Sequence, residues 1–491
     1  MFNYVSPEKC GIASSSILKF INTLESNRLS THSVIIARGN SIVFEKYWKP
    51  FHRDYLHRQY SVSKSITALA VGFLVQEGLI NLDDPIEKYF PDKISEKTHP
   101  YLRKQTIRNM LTMTTALYGP DWFRYHSPDR LRVYFEHDAL PAIKPGTIFR
   151  YDSTGTFVIG ALVERISGMK LMDYLRIKLF DKIGVSKEAY CLECPGGHSW
   201  SDSAVICTSL DLLKIARFTL NYGEWNGEQI IDRQYMIDAT SALVRNDIAN
   251  EDRFSTQGYG YYIWRTFENS FSFNGMGCQY AICVPDKDII LIIQSDNQGK
   301  EEYAKALIFD SFFRYIVDPA QEGEIEAVPG DVGALEEATA DLRLAVAVGK
   351  TSSPAASQTE GKTYYFEDNP MGWKKMKMHF EGDEGCVYYE NAQGEKKLRF
   401  GFGKNVFSEF EQDGYADKIG NIPGNRRYKC AASAVWMSEY SLTVKVQIID
   451  IYFGTMDVVF AFDGDTVSVE MRKTAEDFLN EYQGRAFGVI K

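Results

Sequence analysis

Apolar residues recur at helical spacing over residues 12–28, where Ile17, Leu18, Phe20, Ile21 and Leu24 share one face and predict an amphipathic helix. The period then drops to two. Residues 33–47 form two strand-like runs around Gly39-Asn40, a turn pair that predicts a β-hairpin. A strongly apolar helix is expected from Ser61 to about Gly78, carried by Leu69, Ala70, Val71, Phe73, Leu74 and Val75. Another helix follows over residues 86–90, with Asp84 as its cap and Pro85 in its first turn. Residues 106–114 read as a short helix entered through Thr106, and residues 155–166 as a helix ending at Gly168.

Further along, residues 204–222 and 233–243 have helical spacing, followed by strand-like runs at 259–264, 270–274, 280–284 and 289–295 and an apolar helix over 301–317. Two early strands, four late ones and helices at both ends predict an α+β domain: an antiparallel sheet flanked by helices. The pattern changes after Asp318. Residues 321–361 read as a linker carrying one helix, Leu335–Val348, and a flexible polar end, 351–361. From Lys362 onward short alternating runs are separated by turn clusters at 381–385, 391–394 and 420–425, with strong strands at 443–450 and 456–462. The expected organisation is therefore residues 1–320, a linker over 321–361, and an all-β domain over 362–491, a barrel or sandwich of about eight strands. A Thr474-capped short helix is expected at 474–480.

A length of 491 residues fits two or three domains, and 44% hydrophobic with 13% aromatic content indicates folded structure throughout. A net charge of −10 without a basic tract argues against nucleic acid and anionic membranes as partners. Residues 1–9 lack the basic-then-apolar order of a secretory signal, and the apolar runs are broken by charges before membrane-spanning length, so a cytoplasmic protein is expected. Eight scattered cysteines are too few for a disulfide scaffold. Cys191-x-x-Cys194 with His198 is half a zinc site without a second pair, and neither metal nor cofactor is expected.

Candidate chemistry lies in Tyr60-Ser61-Val62-Ser63-Lys64. Residues three apart on a helix share a face, so the Lys64 amine can reach the Ser61 hydroxyl. A serine hydroxyl is a weak nucleophile near neutrality and needs a neighbouring base; burial against apolar residues favours the neutral amine that can serve. The helix N-terminus adds N–H groups and partial positive charge beside Ser61, which suits a developing oxyanion. Taken alone the motif also fits a serine cap followed by an ordinary helical lysine.

Two further stretches complete an ordered set. Tyr151-Asp152-Ser153 follows the Pro145-Gly146 turn, and Asn274-Gly275-Met276-Gly277-Cys278-Gln279 precedes a strand. In this order and spacing the chain resembles the serine β-lactamase and penicillin-recognising hydrolase superfamily. The likeness is to the branch with class C β-lactamases, D-amino-acid peptidases, esterases and 6-aminohexanoate-dimer hydrolases, and it spans most of residues 10–317. The resemblance implies a β-lactamase/transpeptidase-like fold and a serine hydrolase acting on a small amide, peptide or ester. It implies that Ser61 is acylated, that Lys64 and Tyr151 exchange its proton, and that Ser153 binds substrate. The oxyanion hole would join the Ser61 N–H to that of Met276, with Gly277 or Cys278 as alternatives, and Gly275 and Gly277 would allow close backbone approach.

Two departures matter. Class C enzymes carry Tyr-x-Asn where this chain has Tyr151-Asp152-Ser153, and Lys-Thr-Gly or His-x-Gly where it has Gly275-Met276-Gly277. The cation that would grip a β-lactam or terminal carboxylate is missing, which argues against β-lactamase or DD-peptidase action as the main task. The aromatic stretch 116–144, with Trp122, Phe123, Tyr125, Tyr134 and Phe135, is a candidate to overhang the site. The all-β part resembles lipocalin-like or barrel modules appended to some of the D-amino-acid peptidases, with shaping of the active-site rim, a homo-oligomer contact or ligand binding as candidate roles. A non-catalytic binder or sensor on the same fold is the competing reading.

Overall fold

The computed structural model describes residues 2–117, 119–120, 127–137, 142–247, 252–411, 427–475 and 482–491. The chain divides after Arg343 into two compact units.

The first unit is built on a seven-stranded sheet of β1 (Asn3–Tyr4), β2 (Thr31–Arg38), β3 (Ser41–Tyr47), β4 (Trp264–Arg265), β5 (Phe271–Gly275), β6 (Gln279–Val284) and β7 (Ile289–Ser295). The spatial order is β1-β3-β2-β7-β6-β5-β4, antiparallel except where β1 runs parallel to β3. The expected hairpin is β2–β3, with Gly39 in the left-handed region its turn requires (φ +56°). Five helices matter for the site: α1 (Ser14–Ser26), α2 (Val62–Gln76), α3 (Ser153–Ser167), α4 (Ser209–Leu220) and α5 (Glu301–Phe312).

The central strands β2 and β7 carry the near-continuous apolar runs Val34–Ala37 and Ile289–Ile293 because both sheet faces are covered. On one face Ile17, Phe20 and Leu24 of α1 and Ile308 and Phe312 of α5 form a common core with Val34, Ile36, Leu291 and Ile293. On the other, α4 approaches closely: Ser209 Oγ lies 2.8 Å from Ser33 Oγ on β2 and 2.8 Å from Gln294 Oε1 on β7.

Several local expectations need correction. The helix read over 204–222 is α4 alone; Val205–Cys207 is a short strand pairing with His57–Arg58 and Tyr190–Cys191, and Thr208 opens α4 through a capping box with Asp211. The apolar run before Thr208 is too short for its period to separate strand from helix. The run 259–264 is mostly irregular, because Tyr262 takes a left-handed conformation (φ +55°) and the Tyr259, Tyr261 and Tyr262 side chains are buried. Residues 86–89 form a 3₁₀ turn that Asp84 does not cap; its carboxylate accepts from Lys88 and Tyr89 instead. The helix expected over Leu335–Val348 is Pro329–Ala338, started earlier by Pro329 in its first turn, and the polar stretch 351–361 contains the helix Pro354–Thr359, capped by Ser353.

The second unit is a barrel. Its strands are β8 (Thr363–Phe366), β9 (Lys375–Glu381), β10 (Glu384–Asn391), β11 (Gly394–Phe402), β12 (Val406–Phe410), β13 (Tyr428–Trp436), β14 (Ser441–Ile448), β15 (Gly454–Asp463), β16 (Thr466–Thr474) and β17 (Gly484–Ile490). They are ordered β11-β10-β9-β8-β17-β16-β15-β14-β13-β12, and β11 also pairs with β13 through Gly401–Ser433 and Phe402–Ala434. This contact closes nine strands into a ring and leaves β12 on β13, two strands more than the approximate eight expected. Alternation is clear on β15, where Met456, Val458, Phe460 and Phe462 are buried between exposed or half-buried neighbours. The turn expected at 420–425 and most of the helix expected at 474–480 lie outside the described residues.

Candidate active site

Ser61 sits at the mouth of α2, where the chain turns out of the short strand His57–Arg58. Tyr60, one residue earlier, is forced into the left-handed region (φ +47°), a conformation a bulky residue adopts only when its surroundings hold it there. The hold is visible: the Tyr60 ring is buried, with the Arg58 guanidinium carbon 4.3 Å from its centroid. Arg58 in turn donates from Nε to the Ser203 carbonyl and from Nη2 to Ser203 Oγ, both at 3.0 Å.

The expected pairing at i and i+3 is present. Lys64 Nζ lies 2.9 Å from Ser61 Oγ and also donates to the carbonyl of Asp202 at 2.7 Å. Lys64 is 1% exposed while Ser61 is half-buried, so the amine is withdrawn and the hydroxyl is accessible. Helix α2 is apolar almost all round because it is buried almost all round, with every residue from Val62 to Leu74 inaccessible.

Tyr151 precedes Asp152, the cap of α3, whose Oδ1 accepts from the Thr154 N–H (3.0 Å), the Gly155 N–H (3.2 Å) and the Thr154 hydroxyl (2.6 Å). The Tyr151 ring stacks on Trp264 at 5.6 Å between centroids and 24° between planes, and Lys64 Nζ lies 5.0 Å from its centroid. Lys64 therefore meets the ring; among the described residues no hydrogen bond joins the Tyr151 hydroxyl to Ser61 or Lys64. Ser153 is the first residue of α3 and is half-buried.

The third stretch is a hairpin tip: Gly275 ends β5, Gln279 begins β6, and Met276–Cys278 make the turn, with Gly277 and Cys278 at φ +78° and +70°. A Cβ placed on Gly275 would fall 2.4 Å from the Gln59 carbonyl oxygen, so this tip is in backbone contact with the segment leading to Ser61. The N–H groups of Ser61 and Met276 make no backbone hydrogen bond among the described residues. That of Gly277 faces Glu301, whose carboxyl burial raises and this hydrogen bond counteracts.

Two neighbours had no sequence signal. The Asp202 carbonyl belongs to an irregular segment pinned on both sides, by Thr67 Oγ1 to the Ser201 carbonyl (2.9 Å) and by the Val205 N–H to Ser63 Oγ (2.9 Å). Gly160 of α3 makes room for it, since a Cβ there would meet Ser201 Oγ at 2.0 Å. Trp264 was legible only as one aromatic in a run. The cysteine motif is spent on packing: Cys194 Sγ accepts from Arg130 Nη1 (2.9 Å), Cys191 faces the Leu192 carbonyl, and His198 Nδ1 lies 2.7 Å from Glu164. Among the described residues no cluster of metal-ligating side chains occurs. Of the aromatic stretch, Tyr134 and Phe135 are buried, and Trp122, Phe123 and Tyr125 lie outside the described residues.

A sequence model of the beta-lactamase family matches residues 19–310. The 6-aminohexanoate-dimer hydrolase of Paenarthrobacter ureafaciens is 24% identical over 267 residues, which is 50% of this chain and 67% of that protein. Esterase EstB of Burkholderia gladioli is 29% identical over 179 residues, 31% of this chain and 45% of the esterase. Among solved structures, EstCE1, a hydrolase with promiscuous acyltransferase activity, superposes with a TM-score of 0.51 at 16% identity over 61% of this chain and 98% of its own. SurE superposes with a TM-score of 0.50 at 15% identity over 97% of this chain and 98% of its own, so its likeness extends over both units.

Proposed function

The chain belongs to the beta-lactamase family of serine hydrolases, and from that premise we propose that it cleaves a small amide, peptide or ester through an acyl-Ser61 intermediate. The observation that carries this reading is the 2.9 Å hydrogen bond between Lys64 Nζ and an accessible Ser61 Oγ at a helix N-terminus. Ser61 Oγ attacks the substrate carbonyl as Lys64 takes its proton, and the new C–O bond leaves negative charge on the carbonyl oxygen. The Ser61 and Met276 N–H groups receive that charge; Gly277 is disfavoured because its N–H is directed to Glu301. Collapse of the tetrahedral adduct expels the amine or alcohol, which takes a proton from the Lys64–Tyr151 pair, and water repeats the sequence to release the acid.

For Tyr151 to join this exchange its hydroxyl must form a hydrogen bond to Ser61 or Lys64, a tightening of the kind that substrate binding brings about. Ser153 offers one hydrogen bond to a substrate amide. The Gly275-Met276-Gly277 tip brings no cation, which favours substrates neutral at that end over β-lactams. The names of the relatives, an aminohexanoate-dimer hydrolase and an esterase, agree with amide and ester substrates. All eight cysteines are unpaired, which suits a reducing compartment such as the cytoplasm.

The test is intact mass after exposure to a fluorophosphonate, with p-nitrophenyl acetate turnover followed separately, for wild type and Ser61→Ala. Ser61-dependent labelling together with turnover supports the hydrolase. Labelling without turnover, or no labelling of folded protein, supports the binder or sensor reading instead.

A further inference from the structure

Asp202 touches Lys64 through its backbone carbonyl, a contact that leaves its buried side chain unaccounted for. Its carbonyl receives the second hydrogen bond from Lys64 Nζ at 2.7 Å. The residue is 4% exposed; its carboxyl accepts from the Trp200 indole and its own N–H, while its Oδ1 has no hydrogen-bond partner among the described residues. Nor does it form an ion pair there, although Arg130 and Lys64 are the charges that act on it. A buried carboxylate with one oxygen left without a hydrogen bond weakens a fold unless nearby charge compensates it, and Lys64 and Arg130 are the charges placed to do so.

We propose that the Asp202 carboxylate is a positioning residue for Lys64, supplying the fixed negative charge that stabilises the ammonium formed when Ser61 gives up its proton. The inference rests on Lys64 being the base of the proposed reaction. The geometry resembles the logic of a base oriented by a buried acid behind it, with carbonyl and carboxylate of one residue dividing the tasks. The pinning at Ser201, Ser203 and Val205 keeps the segment from swinging away, so the charge stays where the proton arrives.

The groups facing this pair are few. Arg130 comes from the helix Arg130–Glu136, Cys191 from the strand Tyr190–Cys191, Cys194 from the loop after it, Trp200 from the same segment, and Ser61 and the Tyr151 ring from the substrate side. Arg58 and Glu164 act on the thiols from further out. Burial leaves the Asp202 carboxyl raised above its ordinary value, with the charges of Lys64 and Arg130 and the hydrogen bonds from its own N–H and the Trp200 indole offsetting only part of that effect.

The test is Asp202→Asn, which keeps size and polarity and removes the charge, read by kcat/KM for p-nitrophenyl acetate and by fluorophosphonate labelling rate across pH. Without the carboxylate the ammonium is less favoured, so the neutral amine persists to lower pH. The acidic limb of both profiles should move down by about one pH unit, and the plateau should fall roughly tenfold because the proton acceptor is poorer. Thermal stability should be little changed, since asparagine keeps an acceptor for the Trp200 indole while the buried charge and its desolvation cost are removed. A limb that stays in place, or a rate loss that follows a lower Tm, overturns the proposal. Asp202→Ser, smaller and also uncharged, must move the limb the same way if the asparagine variant folds poorly, and an unmoved limb there overturns it too. Turnover retained in Lys64→Met would instead refute Lys64 as the base of the proposed reaction, whatever the Asp202 variants do.

Discussion

Gly275 illustrates how little freedom the site has at single residues. Gly275→Ala pushes a methyl carbon into the Gln59 carbonyl, and neither backbone can yield without displacing the strand end or the approach to Ser61. The expected result is a loss of about 1–3 kcal/mol of stability, seen in urea titration, with a larger fractional fall in kcat/KM than in folded population. Tyr151→Phe removes only a hydroxyl that makes no hydrogen bond to Ser61 or Lys64. Folding should be untouched in a thermal scan, while kcat for p-nitrophenyl acetate drops by roughly 10²-fold or more if the phenol serves in proton transfer; an unchanged kcat would restrict that task to Lys64. The i, i+3 reach of Ser61 and Lys64 was legible in the sequence because helix geometry alone sets it. The Tyr151–Trp264 stack was not, since it joins residues more than a hundred positions apart.

Among elements, α3 depends on one carboxylate. Asp152 takes two N–H groups that no helical carbonyl could satisfy, and it does so one residue from Tyr151. Asp152→Ala should cost about 1–2 kcal/mol by denaturant titration and lower activity by disturbing the Tyr151 backbone, whereas Asp152→Asn, which keeps an acceptor, should recover most of the stability. The helices α1 to α5 and the strands β2, β3 and β5 to β7 were visible from periodicity and turn residues, because each has a face or a run long enough to register. The three-residue strand before α4 was not. Its strand character comes from pairing with His57–Arg58, a partner some 150 residues away, and local pattern holds no information about that partner.

At the scale of the whole molecule, the first unit carries a pH liability in a buried histidine pair. His32 and His57 are buried with ring nitrogens 2.8 Å apart. Burial pushes His57 down to about 3 and His32 well below its usual value, the charge of one further disfavouring that of the other at His32. Both are neutral in the folded state, while in the unfolded chain each gains a proton as pH falls below about 6.5. Stability is therefore full above that pH and is lost as pH falls from about 6.5 toward 3, by on the order of a few kcal/mol for the pair. Urea midpoints followed from pH 8 to pH 4 should fall accordingly, and His57→Asn should flatten the decline. The absence of a cation at the hairpin tip gives a second expectation: p-nitrophenyl acetate should be turned over at least about 10²-fold more efficiently than a cephalosporin reporter, compared as kcat/KM.

The sequence alone determined what depends on neighbours along the chain. The order of helices and strands, the helix that brings Ser61 to Lys64, the three motif positions and the alternation of an all-β C-terminal region all arise from spacing, turn chemistry and hydrophobic period. Only tertiary structure decided what depends on groups distant in sequence: closure of the barrel by β11 against β13, the contact of Gly275 with Gln59, the Trp264 stack, and the carbonyl of the buried Asp202 against Lys64. The physical reason is common to all four. Burial and backbone approach are set by which surfaces meet, and an irregular segment that contributes through its carbonyl leaves no residue pattern to read.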